Sequence, residues 1–209
     1  MSAISHISGR QITDSRGEPT LEVEVVLENG IRASASVPHG KSKGGTEVVE
    51  IAVPKAIEVI ATQVFSAMKG IEAKCQREVD QALLKLDAST DKSVIGGNTT
   101  LAVSLAVARA SAVDQKIPLW KHLAEVAEMS RMRLEIPRLL VNMIEGGVHA
   151  EGKLVIQEHL IIPTHSSLTH AISSVKHIYN RVEQILLHQF GRSGVHVGDE
   201  GGFWADFVD

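Results

Sequence analysis

The 209 residues are 44% hydrophobic and 22% charged, with a net charge of −4; that balance excludes a disordered chain and a strongly basic nucleic-acid binder. The single cysteine, Cys75, excludes an internal disulfide and fits a reducing compartment. No apolar run approaches the ~18 residues that span a bilayer, and the N-terminus lacks a charged-then-apolar leader, so a soluble cytoplasmic protein with no nucleic-acid or membrane partner is expected.

Residues 4–37 predict an antiparallel meander. Ile4 opens a first strand reaching Ile12, and Asp14-Ser15-Arg16-Gly17-Glu18-Pro19 has turn chemistry. Leu21, Val23, Val25 and Leu27 then alternate with Glu22, Glu24 and Val26 at the period of a half-buried strand. Asn29-Gly30 is a hairpin turn, since both residues tolerate the positive φ such turns need. Residues 31–37 close the sheet. The Gly-rich segment from Pro38 to Thr46 reads as a mobile surface loop or a plain linker.

A helical pattern is expected to open at Thr46-Glu47 and run to Met68, with Pro54 marking a start or a kink and Gly70 the stop. A shorter amphipathic helix carries Val79, Leu83, Leu84 and Leu86. The stretch from Leu101 to Val113 is apolar nearly all round, so it should lie in a core. Ile117-Pro118-Leu119-Trp120 begins another helix. Residues 1–130 thus predict an α+β domain of meander and helices.

Past residue 131 the pattern changes to a strand (139–144), a second strand (154–162), a long helix (167–190) and a third strand (195–197). The first two strands flank Glu145-Gly146-Gly147-Val148-His149, and the second carries Gln157-Glu158-His159 in an otherwise apolar run. The third leads into Gly198-Asp199-Glu200-Gly201-Gly202-Phe203. Polar residues inside an apolar strand break the local rule, and such breaks tend to fall at functional sites. Glu158 and Glu200 could act as general acid and base, or be ordinary surface or paired glutamates. The glycines around Glu200 would allow close approach of a ligand. His149 suits an anionic substrate, or is a packing histidine. His165, His170, His177 and His188 read as solvated residues on or beside the long helix. A Gly-x-Ser-x-Gly elbow, a phosphate-binding Gly-x4-Gly-Lys-Ser/Thr loop and a His-Glu-x-x-His zinc motif are all missing from the sequence.

Together the motifs closely resemble the enolase (phosphopyruvate hydratase) family. The matching residues are Arg10-Gln11-Ile12-x-Asp14-Ser15-Arg16-Gly17-x-Pro19-Thr20-x-Glu22-Val23, Val37-Pro38-x-Gly40-x-Ser42-x-Gly44, Gly96-x-Asn98, Val103-Ser104-Leu105-Ala106, Ile117-Pro118-Leu119, Gly146-Gly147-x-His149-Ala150, Gln157-Glu158 and Gly198 to Phe203, in family order. The resemblance implies an α+β capping domain over residues 1–130 and the incomplete start of a variant (β/α)8 barrel over 138–209. It implies magnesium-dependent dehydration of 2-phosphoglycerate to phosphoenolpyruvate, a lyase reaction of glycolysis. Carried over by motif, Glu200 and Glu158 are the catalytic carboxylates, with Glu200 the general acid. His149 and Gln157 bind substrate, and Ser42 is a ligand of the second magnesium when its loop closes.

Some positions depart from the family pattern. His39, Lys41 and Lys43 replace small and hydroxyl residues in the closing loop, and Glu145 replaces an Asn before the paired glycines. The family's main carboxylate ligands for Mg2+, its lysine base and its His-Arg-Ser phosphate segment belong to the half of the barrel not in this sequence. The expectation is an N-terminal half that needs a C-terminal enolase half as partner and pairs as a homodimer through its N-terminal domain. The alternative is a non-catalytic binding or scaffold protein, or a degenerate gene product, built on the same fold.

Overall fold

Alternation along residues 19–27 makes that segment the centre of the first sheet. In a computed structural model, which describes residues 2–38, 40, 44–129, 135–165 and 167–207, β2 (Pro19–Leu27) runs antiparallel between β1 (Ile4–Thr13) and β3 (Arg32–Val37). Leu21, Val23, Val25 and Leu27 are buried on one face. On the other, exposed ion pairs link Arg10 to Glu22 and Arg32 to Glu24 across neighbouring strands, where water leaves them little net strength. Gly30 sits at φ +85° in the predicted turn. Ser42, His39, Lys41 and Lys43 lie outside the described residues.

The chain divides into two compact units, Met1–Arg133 and Leu134–Asp209. In the first, α4 (Gly97–Asp114) packs on the meander, burying Ala102, Val103, Ala106, Val107 and Ala110 in the shared core, as its all-round apolar sequence predicts. A second helical run, α1 (Val53–Val59), a π-helical turn (Ile60–Val64) and α2 (Phe65–Met68), buries Ala56, Val59, Ile60, Val64 and Met68 in the same core. Further on, α3 (Gln76–Leu86) adds Val79 and Leu83, and α5 (Leu119–Val126) follows Pro118.

The helix expected from Thr46 starts only at Val53, with Pro54 in its first turn, where a missing N–H costs nothing. The preceding residues are committed elsewhere. Val49 N–H donates to the Asp91 carbonyl (2.6 Å), and the Val49 carbonyl accepts from Gly97 N–H (2.8 Å). The Asn98 side chain clasps both backbone groups of Ile51, accepting at 3.2 Å and donating at 2.9 Å. Backbone groups already bonded to residues forty or more positions away cannot form a helix turn.

One fully buried carboxylate organises the connector before α4. Asp87 accepts from the Ser89 hydroxyl, and from the backbone N–H of Ser89 (3.0 Å), Val94 (2.9 Å) and Ile95 (3.0 Å). Burial opposes its ionisation, but the hydrogen bonds from Ser89, Ile95 and Val94 outweigh it and hold the carboxyl below its ordinary range. A depressed folded value means the ionised form stabilises the fold above the unfolded pKa. That contribution is lost as pH falls through the lower folded value. Asp87→Ala is expected to destabilise the first unit by about 2 kcal/mol near neutral pH, because buried N–H groups lose their acceptor, and to flatten its acid sensitivity below about pH 4. Thermal unfolding in a Trp204→Phe background, followed by Trp120 fluorescence across that range, checks both.

The second unit holds a four-stranded sheet of order β5-β4-β7-β6. In it β4 (Val141–Glu145) pairs antiparallel with β5 (Glu158–Ile161) and parallel with β7 (Phe203–Trp204), which forms a hairpin with β6 (His196–Val197). The crossover is α6 (Leu168–Phe190). Three expectations need correction. The strand expected over 154–162 shortens to Glu158–Ile161, because Leu154 and Gln157 give their carbonyls to the glycine loop instead. Gln157 is therefore an exposed residue just before β5, and Glu158 opens the strand, so the Gln-Glu-His run is not the interior of a buried strand. β7 was not expected at all, since two residues are too short to show a period.

Candidate functional site

Two loops of the second unit build the site. The first joins β4 to β5 through Gly146-Gly147. Gly146 N–H donates to the Gln157 carbonyl and Gly147 N–H to that of Leu154, both at 2.8 Å. A Cβ on Gly146 would overlap the Ile156 carbonyl oxygen and stand 2.7 Å from that of Leu154, so only glycine lets the chain fold back this closely. A 3-10 turn, Gly147–His149, follows and leaves the His149 side chain 6% exposed.

The second loop is the tip of the β6–β7 hairpin, Gly198 to Gly202. It is closed by Gly198 N–H on the Gly202 carbonyl (2.9 Å) and Gly201 N–H on that of Gly198 (3.0 Å), with Gly201 at φ +86°. The glycines were expected to make room for a ligand beside Glu200. Two of them instead make room for protein. A Cβ on Gly198 would overlap Glu145 Oε2, and one on Gly202 would lie 2.7 Å from Glu145 Cγ and 2.8 Å from Asn142 Oδ1.

Glu145 is wholly buried, and its Oε1 accepts from Gly202 N–H at 2.7 Å. Tyr179 of α6 donates its hydroxyl to the Gly201 carbonyl (2.7 Å), while its ring lies 4.4 Å from that of Phe203. Burial, then the carboxylates of Glu183 and Glu145, push the Tyr179 hydroxyl upward, so it stays protonated as a donor. Sequence reasoning noted Glu145 only as a departure from a family pattern and missed Asn142 and Tyr179 as supports. No local spacing could signal contacts across 57 and 22 residues.

These loops bring the predicted residues together. His149 Nδ1 lies 3.0 Å from Glu200 Oε1. Gln157 Nε2 donates to Glu158 Oε1 at 3.0 Å and lies 3.3 Å from His149 Nε2. The imidazole thus has the Gln157 carboxamide at Nε2 and the Glu200 carboxylate beside Nδ1. One donor atom from each of His149, Glu158 and Glu200 falls within 4.8 Å of the others. His149 is buried while the Glu200 side chain remains 46% exposed, so the group is anchored at one end and reachable at the other. Two carboxyl groups and an imidazole about one point can transfer a proton to a bound hydroxyl, orient it, or ligate a cation. His165, His170, His177 and His188 are exposed, as expected. No helix among the described residues is long and apolar enough to cross a membrane.

Residues 4–123 match the family model "Enolase, N-terminal domain", and residues 133–208 match "Enolase, C-terminal TIM barrel domain". Among curated proteins, the enolase of Ehrlichia chaffeensis (strain ATCC CRL-10679 / Arkansas) is 40% identical over 212 residues, covering 96% of this chain and 49% of the relative. The enolase of Aeropyrum pernix (strain ATCC 700893 / DSM 11879 / JCM 9820 / NBRC 100138 / K1) is 38% identical over 212 residues, covering 96% and 48%. The chain thus spans about half the length of the curated relatives it matches.

Proposed function

Because this chain belongs to the enolase family, with an α+β N-terminal domain followed by part of the barrel domain, we propose that it supplies the N-terminal half of a cytoplasmic lyase. That enzyme dehydrates 2-phosphoglycerate to phosphoenolpyruvate in glycolysis, and turnover needs a segment carrying the rest of the barrel. The observation that carries this reading is the convergence of His149, Glu158 and Glu200 from three separate segments of the second unit. In the proposed reaction Glu200 delivers a proton to the departing hydroxyl, which leaves as water, and Glu158 orients that hydroxyl from the other side. His149 and Gln157 hold the acidic end of the substrate. The base that removes the carbon-bound proton belongs, by resemblance, to the other half.

The need for a complement is also supported by the open sheet. β5 and β6 are its edges, and Val155, Ile156, Leu160, Ile162 and Val197 on or beside them are exposed. Unpaired edges flanked by apolar side chains favour being covered. In α6 only Ala171 and Leu186 are buried, while Ile172 and Ile185 face solvent. A homodimer through residues 1–130 belongs to the same proposal.

The described residues do not by themselves match the family's magnesium. Mg2+ takes oxygen ligands in near-octahedral geometry, whereas the cluster brings one imidazole nitrogen together with two carboxylate oxygens. Ser42 is carried as a ligand by the resemblance alone. The test is phosphoenolpyruvate formation from 2-phosphoglycerate with Mg2+, using this chain alone and then mixed with a C-terminal enolase half. Turnover in the mixture only is the expected result. A folded mixture without turnover overturns the catalytic reading and leaves a binding or scaffold protein.

A further inference from the structure

We propose that His122 is an acid-sensitive latch on α5: a neutral ring keeps the helix docked on α4, and protonation of the ring releases it. The helix is amphipathic, yet Trp120 and Leu123 are exposed and His122 is its one buried residue, 2% exposed where α5 packs on α4. An eight-residue helix does not persist in water without its docking, so what undocks this ring frees the helix. Both ring nitrogens meet surroundings suited only to an uncharged imidazole. Nδ1 lies 3.1 Å from the Gln115 carboxamide nitrogen, which also donates to the Ser111 hydroxyl (2.9 Å) and carbonyl (3.3 Å). A neutral imidazole can meet that donor with a lone pair, whereas a protonated one carries N–H on both nitrogens. Turning the carboxamide to offer its oxygen would set that oxygen against the Ser111 carbonyl. Nε2 is buried and has no hydrogen-bond partner, so a charged ring would hold an unpaired N–H away from water.

The charge that favours protonation is Glu125, three residues on along α5 and exposed, where water screens it. The other charged groups of the packed elements are engaged or turned outward. On α4, Arg109 donates to the Ser34 carbonyl and Asp114 accepts from Asn29. Lys116 and Lys121 are exposed, as are Lys74 and Glu78 near the start of α3, and Arg77 pairs with Glu128. Burial outweighs Glu125 and lowers the ring from its ordinary value of 6.5. Once α5 is released the ring regains that ordinary value, so docking is fully supported above pH 6.5. As pH falls from there toward the lower docked value, the released form takes up the extra proton, and opening grows by up to about tenfold per pH unit. The released segment is the one through which the chain passes into the second unit.

The test is hydrogen–deuterium exchange of the full chain between pH 7 and pH 5, read by mass spectrometry on peptides covering Leu119–Val126 and normalised at each pH to the unfolded chain. Protection of α5 is expected to fall several-fold over that range, while that of β2 in the core of the same unit stays level. His122→Gln keeps an uncharged side chain able to accept from Gln115 and takes up no proton, so its α5 protection should be level with pH. Gln115→Glu sets a carboxylate beside Nδ1, which favours the charged ring, so α5 should become better protected at pH 5 than at pH 7. This second variant decides the matter by itself should His122→Gln fail to fold, because a merely structural contact would not reverse the slope. The proposal is overturned if wild-type α5 protection is level from pH 7 to pH 5, if His122→Gln keeps the wild-type slope, or if Gln115→Glu leaves that slope unchanged. No turnover is measured, so this result and that of the mixing experiment stand apart.

Discussion

Glu200→Gln is expected to lower turnover by roughly 10²–10⁴-fold in the enzyme assembled from this chain and a C-terminal half, the range typical of losing a positioned general acid. Glutamine keeps the shape and a carbonyl oxygen beside His149 Nδ1, so the loop and the contact with the imidazole survive. It has no proton to give to a departing hydroxyl. The Glu200 side chain is 46% exposed at a hairpin tip that is held by Glu145 and Tyr179 rather than by Glu200 itself, so the change should spare stability. The signature is a fall in kcat with KM little altered, read from initial rates of phosphoenolpyruvate formation. A variant with wild-type kcat would remove Glu200 from the chemistry. An equal rise in KM with kcat unchanged would reassign it to substrate binding.

Gly146→Ala should destabilise the second unit by about 3 kcal/mol or more, at the upper end for overpacking, because the atoms it meets cannot move aside cheaply. Those atoms are backbone carbonyl oxygens of Ile156 and Leu154. Relief would require opening the loop, which breaks the bonds from Gly146 N–H and Gly147 N–H and shifts His149 and Gln157 out of register with Glu200. The two tryptophans fall one in each unit, Trp120 and Trp204. In a Trp120→Phe background, urea unfolding followed by Trp204 therefore reports the second unit by itself. Gly45→Ala, where an added methyl meets nothing within 4 Å, is the matched control and should leave that transition unmoved. A Gly146→Ala curve overlaying wild type would mean that the loop accommodates the methyl without opening.

Much of the first unit could be read from local pattern. Period-two alternation over 21–27, the Asn29-Gly30 turn and the unbroken apolar run of α4 are each set by residues within one or two turns of each other, and each is found as expected. Pro54 reads as a helix start or a kink, and the structure makes it the start. What misled was the apolar stretch around Val49 and Ile51, whose spacing fits a helix but whose backbone bonds go to Asp91, Gly97 and Asn98. Helical spacing records which face would be buried and says nothing of where the backbone groups find partners.

The sequence by itself determined the family, through motifs in order along the chain, and it named His149, Gln157, Glu158 and Glu200, because their residue types and glycine-rich settings survive without coordinates. It could not reveal that these residues converge, since Glu200 lies 51 positions beyond His149 and the loops meet only once β7 slots beside β4. Nor could it show why the glycines around Glu200 are there. They look like space for a ligand, yet Gly198 and Gly202 are pressed against the buried carboxylate of Glu145. Close packing between distant segments is a property of the folded chain, and local composition carries no record of which neighbour will fill the space.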